Sequence, residues 1–167
     1  MKVEKLLDTV KRTDGNLLVM VGVPLSGKST FIEKLIDTCG VISRDELVLA
    51  AGKGLSYSDA FNTVDQKRIS GSLKYKMIEA GKTNENFIID MTNLKPKSRK
   101  GVMKNFPNHI KIAVVLDTPA RDVLLERNEK RGIEEDKLLP VGVIDTMLGN
   151  FVFPTKEEGF DHIVQVK

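Results

Sequence analysis

The chain has 167 residues, 41% of them apolar and 29% charged, which suits one globular domain that can bury a core without disulfide or metal staples. A net charge of +3 is too small to mark a general polyanion binder, and a single cysteine, Cys39, excludes an internal disulfide. Cys39 fits a small buried residue in a reducing, cytoplasmic setting, and with no apolar run of membrane-spanning length and no signal-peptide core, no membrane partner is expected.

Val3, Leu6, Leu7 and Val10 recur at helical spacing, so the chain opens with an amphipathic helix that ends near Asp14-Gly15. Residues 1–15 read as an extra element that packs on the core or on a second subunit, leaving an oligomer open. Residues 16–167 read as a single α/β domain. Strand-like runs are expected at 17–22, 41–43, 87–91, 110–116 and 162–166. Helical patterns lie between them at 29–38, 45–51, 58–81, 96–105, 119–131 and 140–150. This alternation predicts a parallel five-stranded sheet flanked by helices on both faces.

The first strand runs into Gly22-Val23-Pro24-Leu25-Ser26-Gly27-Lys28-Ser29-Thr30, the GxxxxGK[ST] phosphate-cradling loop. The strand before it and the Phe31, Ile32, Leu35, Ile36 stripe after it supply the context that the motif needs. Gly22 and Gly27 let the backbone curl so that its N–H groups converge on phosphates. Lys28 can reach the β and γ phosphates of a nucleoside triphosphate, and Ser29 offers a hydroxyl to Mg²⁺. Pro24, Ser26 and Thr30 complete the expected nucleotide contacts.

Ligands of such sheets gather beyond the carboxyl ends of the strands, and three of those exits carry polar residues. Arg44-Asp45 follows the second strand, and Asp45 is either a helix cap or the carboxylate that accepts a hydroxyl proton during phosphoryl transfer. Asp90 follows the third strand and suits the Mg²⁺ shell; Thr92 and Asn93 beside it either meet substrate or shape the turn. Asp117-Thr118-Pro119 reads as the cap of the next helix. In that helix Ala120, Leu124, Arg127 and Arg131 form one stripe, which puts two guanidiniums where apolar residues would continue. Phosphates would satisfy them, and Gly132 with the acidic stretch after it reads as the end of a movable lid. Lys95, Lys97, Arg99, Lys100, Lys104 and Lys111 form a basic stretch with no acidic residue, readable as a nucleic-acid contact or as a solvated face. His109 and His162 are too far apart in sequence to suggest a metal site.

The loop at Gly22 to Thr30, Arg44-Asp45, Asp90 to Leu94 and Arg127-Asn128-Glu129-Lys130-Arg131-Gly132 occur in the order and approximate spacing of the kinase domain of 5′-polynucleotide kinases. The resemblance spans about residues 16 to 166, and Pro154-Thr155-Lys156-Glu157-Glu158-Gly159-Phe160 is similar to the segment that closes the animal enzymes' kinase domain. It implies a P-loop kinase domain with a helical lid, using ATP and Mg²⁺ to phosphorylate a 5′-hydroxyl of DNA or RNA. On the same resemblance Asp45 is the general base, Lys28 and Arg131 are catalytic, and Arg127 and Arg131 hold donor phosphates. Arg44, Thr92, Asn93, Lys97 and Lys100 are expected on the substrate. The phage enzymes carry an acceptor-gripping arginine three residues beyond the base; here that position is Val48, and no Asp-x-Asp phosphatase motif is present. A kinase of a nucleoside, a nucleotide or a modified base in DNA is the alternative, and a non-catalytic NTP-binding module a third reading.

Overall fold

Strand β1 (Asn16–Val21) is buried at all six positions, the pattern of a strand covered on both faces. The computed structural model describes residues 1–167 and places β1 at the centre of a parallel sheet, between β3 (Phe87–Asp90) and β4 (Ile110–Leu116). Strands β2 (Gly40–Ser43) and β5 (His162–Val166) form the edges, giving the order β2-β3-β1-β4-β5. The connections that leave the neighbouring strands β1 and β3 run in opposite directions across the sheet, so the loop after β1 opens at the switch point where such sheets bind ligands.

Alternate residues of the strands feed two cores. Leu17, Val19, Val21, Ile89, Ala113 and Val115 face α5 (Gln66–Ala80) and α6 (Pro96–Met103). Leu18, Met20, Ile88, Ile112 and Val114 face α1 (Val3–Arg12) and α2 (Lys28–Ile32). Leu6 and Val10 of α1 are buried in that second core, as is Cys39. None of the helices is long and apolar enough to cross a membrane.

Several expected elements differ in extent. The helix expected over 58–81 is two helices, α4 (Tyr57–Thr63) and α5, because the Asp65 carboxylate accepts from the Lys67 and Arg68 amides (2.9 and 3.3 Å) and starts a new helix. The helix expected at 29–38 is regular only over α2, and successive turns carry the chain on to Thr38. Helix α7 (Arg121–Glu135) runs past Gly132 to a left-handed Asp136, φ 49°. Gly132 thus does not end the helix: a Cβ there would lie 3.0 Å from the Leu138 side chain, so the glycine admits a close approach. Nor do Asp117 or Thr118 cap it; its N-cap is Ala120, and Asp117 accepts from Gln165 Nε2 (2.7 Å) at the end of β4. Helix α8 (Val141–Gly149) completes this side, its Ile144 packed with Val23, Leu94 and Leu124.

Arg99, counted from sequence among the surface cations, has no exposed surface. Its Nε and Nη2 meet the two Glu158 oxygens at 2.7 and 2.6 Å, and its Nη1 donates to the carbonyls of Asn93, Leu94 and Val152 at 2.9–3.1 Å. Glu158 is held in turn by a capping box with Thr155 in the 3-10 turn Lys156–Glu158. This explains why Pro154 to Phe160 has its particular residues: the segment presents one carboxylate to a buried guanidinium and inserts Phe160 into the core.

Removing one partner of such a pair strands the other, so Arg99→Met should lower the unfolding free energy by about 3–5 kcal/mol, read from the urea midpoint. Adding Glu158→Gln should recover part of that loss, because no uncompensated charge then remains. Val48 on α3 (Arg44–Ala51) is likewise fully buried, with Ala60 and Ile69. Val48→Arg should therefore cost about 3 kcal/mol or more by forcing a charge into that cluster, instead of presenting a guanidinium to substrate.

Candidate active site

The residues after β1, β2 and β3 and those at the far end of α7 converge on one cleft of about 1300 Å³. It is lined by seven basic and four acidic side chains, an excess suited to a polyanion. Pro24, Ser26, Gly27, Lys28, Ser29, Thr30, Arg44, Asp45, Asp90, Thr92, Arg127 and Arg131 all line it. Of the other residues expected at the site, Gly22 is buried at the base of the loop. Asn93 is buried behind the cleft, and Lys97 and Lys100 are exposed on α6 outside its lining.

The two loop glycines are needed for different reasons. A Cβ on Gly22 would lie 2.8 Å from Ser26 Oγ and 3.2 Å from Leu116 Cβ, so any side chain there would push Ser26 and Leu116 out of place. Gly27 faces open space, but its φ of 97° is one that L side chains rarely adopt. The amides of Gly27, Lys28, Ser29 and Thr30 have no acceptor within the chain, and Ser26 Oγ is buried without a partner. Unpaired donors gathered in this way fit a phosphate group.

The cations of the loop and lid rest on backbone carbonyls. Lys28 Nζ donates to Gly22 O (2.9 Å) and Val23 O (2.7 Å), Arg127 to Leu25 O (2.8 Å) and Arg131 to Lys137 O (3.1 Å). Burial lowers the Lys28 pKa from 10.5 to about 8, the opposing pull of Asp90 notwithstanding. Burial also raises the Asp90 carboxyl, against the opposing pull of the nearby Lys28 charge.

Ser43, not Asp45, is the N-cap residue of α3, so Asp45 is free of that structural duty. Its Oδ1 accepts from the Tyr57 hydroxyl (2.8 Å) and its Oδ2 is paired with Lys137, whose ammonium also sits 4.2 Å from the centre of the Tyr57 ring. Burial first, and Asp45 second, push the Tyr57 hydroxyl's pKa upward, so it remains a donor. Arg44 binds Ser70 Oγ (3.0 Å) and Gln66 Oε1 (2.7 Å), tying α3 to α5. Asn93, at φ 47°, donates to Met20 O (2.9 Å), while Thr92 O accepts from Gly22 N (3.0 Å); both thereby brace the exit of β1.

Sequence reasoning missed Tyr57, Lys137 and Asn128. Tyr57 was hidden because its short helix was merged with the next, although Ser56, whose hydroxyl accepts from Asp59 N, was a readable start signal. Lys137 sits beyond the predicted end of the lid helix. Asn128, which the sequence offered no role beyond its place in the Arg127 to Gly132 motif, is buried and pairs both ways with the Leu139 backbone (2.8 and 3.0 Å), tethering the segment that returns after α7.

Residues 17–154 match the family model AAA_33, described as an AAA domain. The chain is 30% identical over 159 residues to a bifunctional polynucleotide phosphatase/kinase from Schizosaccharomyces pombe, covering 90% of this chain and 33% of that protein. It is also 30% identical over 154 residues to an adenylate kinase from Enterococcus faecalis, covering 83% of this chain and 60% of that one. The chain thus spans a third and three-fifths of these curated relatives. Among solved structures, a chain of the Pnkp1/Rnl/Hen1 complex is 28% identical with TM-score 0.54, covering 70% of this chain and 40% of that chain. A gluconokinase from Sinorhizobium meliloti, 21% identical with TM-score 0.58 over 93% of this chain and 83% of that chain, shares the fold alone. With the family match covering most of its length and the sheet and phosphate loop in place, the chain belongs to the AAA_33 family of AAA domains and has the α/β fold of P-loop kinases.

Proposed function

We propose that the chain is an ATP-dependent kinase that transfers the γ-phosphoryl group to a hydroxyl, and that this hydroxyl is the 5′ end of a DNA or RNA strand. The observation that carries the reading is Asp45: a carboxylate with no capping duty, in the same cleft as Lys28, Arg127 and Arg131. A module that only bound nucleotide would have no use for it. The S. pombe polynucleotide phosphatase/kinase and the Pnkp1 complex support a polynucleotide acceptor.

In the proposed reaction Asp45 takes the hydroxyl proton as the acceptor oxygen bonds to the γ phosphorus, the bond to the β–γ bridging oxygen breaks, and ADP leaves. Lys28 meets the β and γ oxygens, and Arg127 and Arg131 exchange their carbonyl partners for the donor phosphates as negative charge shifts. Ser29 and Asp90 are the residues that would hold Mg²⁺. No cluster of three or more acidic, histidine or cysteine side chains encloses a cation, so the rest of its shell would come from phosphate and water. When bound, the ion would neutralise charge on the β and γ phosphates.

A second reading, a kinase of a nucleoside, nucleotide or modified base, is favoured by the adenylate kinase relative and by the burial of Val48, which leaves no cation where the phage enzymes grip their acceptor. Incubation with γ-labelled ATP and a panel of 5′-hydroxyl oligonucleotides, nucleosides, nucleotides and modified-base DNA separates the two by which acceptor is labelled.

Asp45→Asn should slow transfer by about 10² to 10⁴ while leaving the ATP Kd nearly unchanged. Comparable loss of ATP binding would reassign Asp45 to the metal and make Asp90 the candidate base. The Lys28 pKa gives a pH test. Phosphate binds the protonated lysine, so ATP affinity should be flat at neutral pH and weaken above about pH 8, approaching tenfold per pH unit. Titration calorimetry across pH would record that slope in the wild type; Lys28→Ala should bind weakly, lack the slope and transfer no phosphate. Folded Lys28 binds its proton less tightly than unfolded Lys28, so its contribution to stability rises with pH between about 8 and 10.5.

A further inference from the structure

A second depression of about 640 Å³ lies outside the cleft, between α3 and α5, lined by Leu47, Arg68, Gly71, Ser72, Tyr75 and Lys76. We propose that this groove is the track for the strand behind the reacting 5′ end, binding single-stranded nucleic acid through phosphate contacts to Arg68 and Lys76 and base stacking on Tyr75. The proposal rests on the polynucleotide acceptor argued above and assigns the surface that holds it.

Charge points to a polyanion. Helix α5 carries Lys67, Arg68, Lys74 and Lys76 against one acidic residue, Glu79, which is paired with Lys82 (2.6 Å), and no acidic side chain lines the groove. Tyr75 is 64% exposed among these cations with no hydrogen bond, an aromatic platform interleaved with basic groups. The basic stretch on α6 has no such aromatic residue, and its one buried member, Arg99, is consumed by Glu158.

Gly71 is the independent observation. It lies inside the 15-residue helix, where glycine is unfavourable relative to alanine, yet a Cβ there would meet nothing within 4 Å. Packing does not require this glycine, and its absence of side chain keeps the groove floor open to close approach. The groove and the cleft are built on the same two helices: α3 gives Arg44 and Asp45 to the cleft and Leu47 to the groove, and Arg44 is bonded to Gln66 and Ser70 of α5. From Arg68 to Lys76 the helix advances about 12 Å, so a strand with its end at Asp45 could follow α5 along the groove.

The test is phosphorylation of 5′-hydroxyl dinucleotide and dodecanucleotide acceptors across a potassium chloride series. In the wild type the longer acceptor should have the lower KM. Arg68→Ala with Lys76→Ala should flatten the log–log salt dependence for the dodecanucleotide by about 1.4, or 0.7 for each phosphate contact on a single strand, and abolish the length advantage. Tyr75→Ala should raise the dodecanucleotide KM about fivefold or more, while Tyr75→Phe retains stacking and the wild-type value. Gly71→Leu separates binding from folding: it should raise the melting temperature while raising the dodecanucleotide KM. A dodecanucleotide phosphorylated with wild-type KM and salt slope by all the α5 variants would overturn the groove and leave the proposed function standing. Transfer of both effects to a Lys97, Lys100 and Lys104 to alanine variant would overturn it in favour of α6. Labelling of nucleosides or nucleotides with no oligonucleotide labelled would overturn the polynucleotide reading itself, and the groove with it.

Discussion

The buried guanidinium of Arg99 joins parts of the chain that would otherwise be independent. It meets Glu158 near the C-terminus and three backbone carbonyls, two of them in the loop after β3. That loop then reaches β1 through Asn93 to Met20 and Thr92 to Gly22. The start of the phosphate loop is therefore fixed by a chain of hydrogen bonds running back to a turn some 140 residues away in sequence. Interactions of this kind, charged and largely desolvated, tolerate little slack, because a lost partner leaves a buried charge uncompensated.

On that fixed base three of the site's cations are held without being neutralised. Lys28, Arg127 and Arg131 each contact backbone carbonyls, uncharged acceptors that a phosphate can outbid with full negative charge. Burial raises the cost of keeping Lys28 protonated, so a bound anion would be more strongly preferred than at an exposed lysine. The lid is tied down from both ends, by Asn128 on the Leu139 backbone and by Ser58 Oγ on Asp136 O (2.7 Å).

Much of this was legible in the sequence. The phosphate loop, the five strands and the placement of Asp45, Asp90, Arg127 and Arg131 near one edge of the sheet follow from local signals, since apolar runs and glycine spacing act over a few residues. The rest depended on contacts between distant segments. Nothing local distinguishes Arg99 from Lys97 or Lys100; only the distant Glu158 makes one of the three a core residue. Val48 could be compared with an arginine by position, but its burial against Ala60 and Ile69 comes from the fold of α4 and α5 around it. Lys137 and Tyr57 became visible once α7 and α4 had their true limits, because a one-turn error in a helix end moves every side chain beyond it.

The grip of Tyr57 and Lys137 on Asp45 bears on economy. A general base open to solvent beside a bound triphosphate would activate water as readily as an alcohol, and the nucleotide would be hydrolysed without product. Here the carboxylate's two oxygens already have a phenol and an ammonium as partners, the latter supplied by the lid. On the proposed function, a lone water offers too little binding to displace them, whereas an acceptor anchored elsewhere on the protein can. The same lysine that closes the lid would then hold idle turnover down.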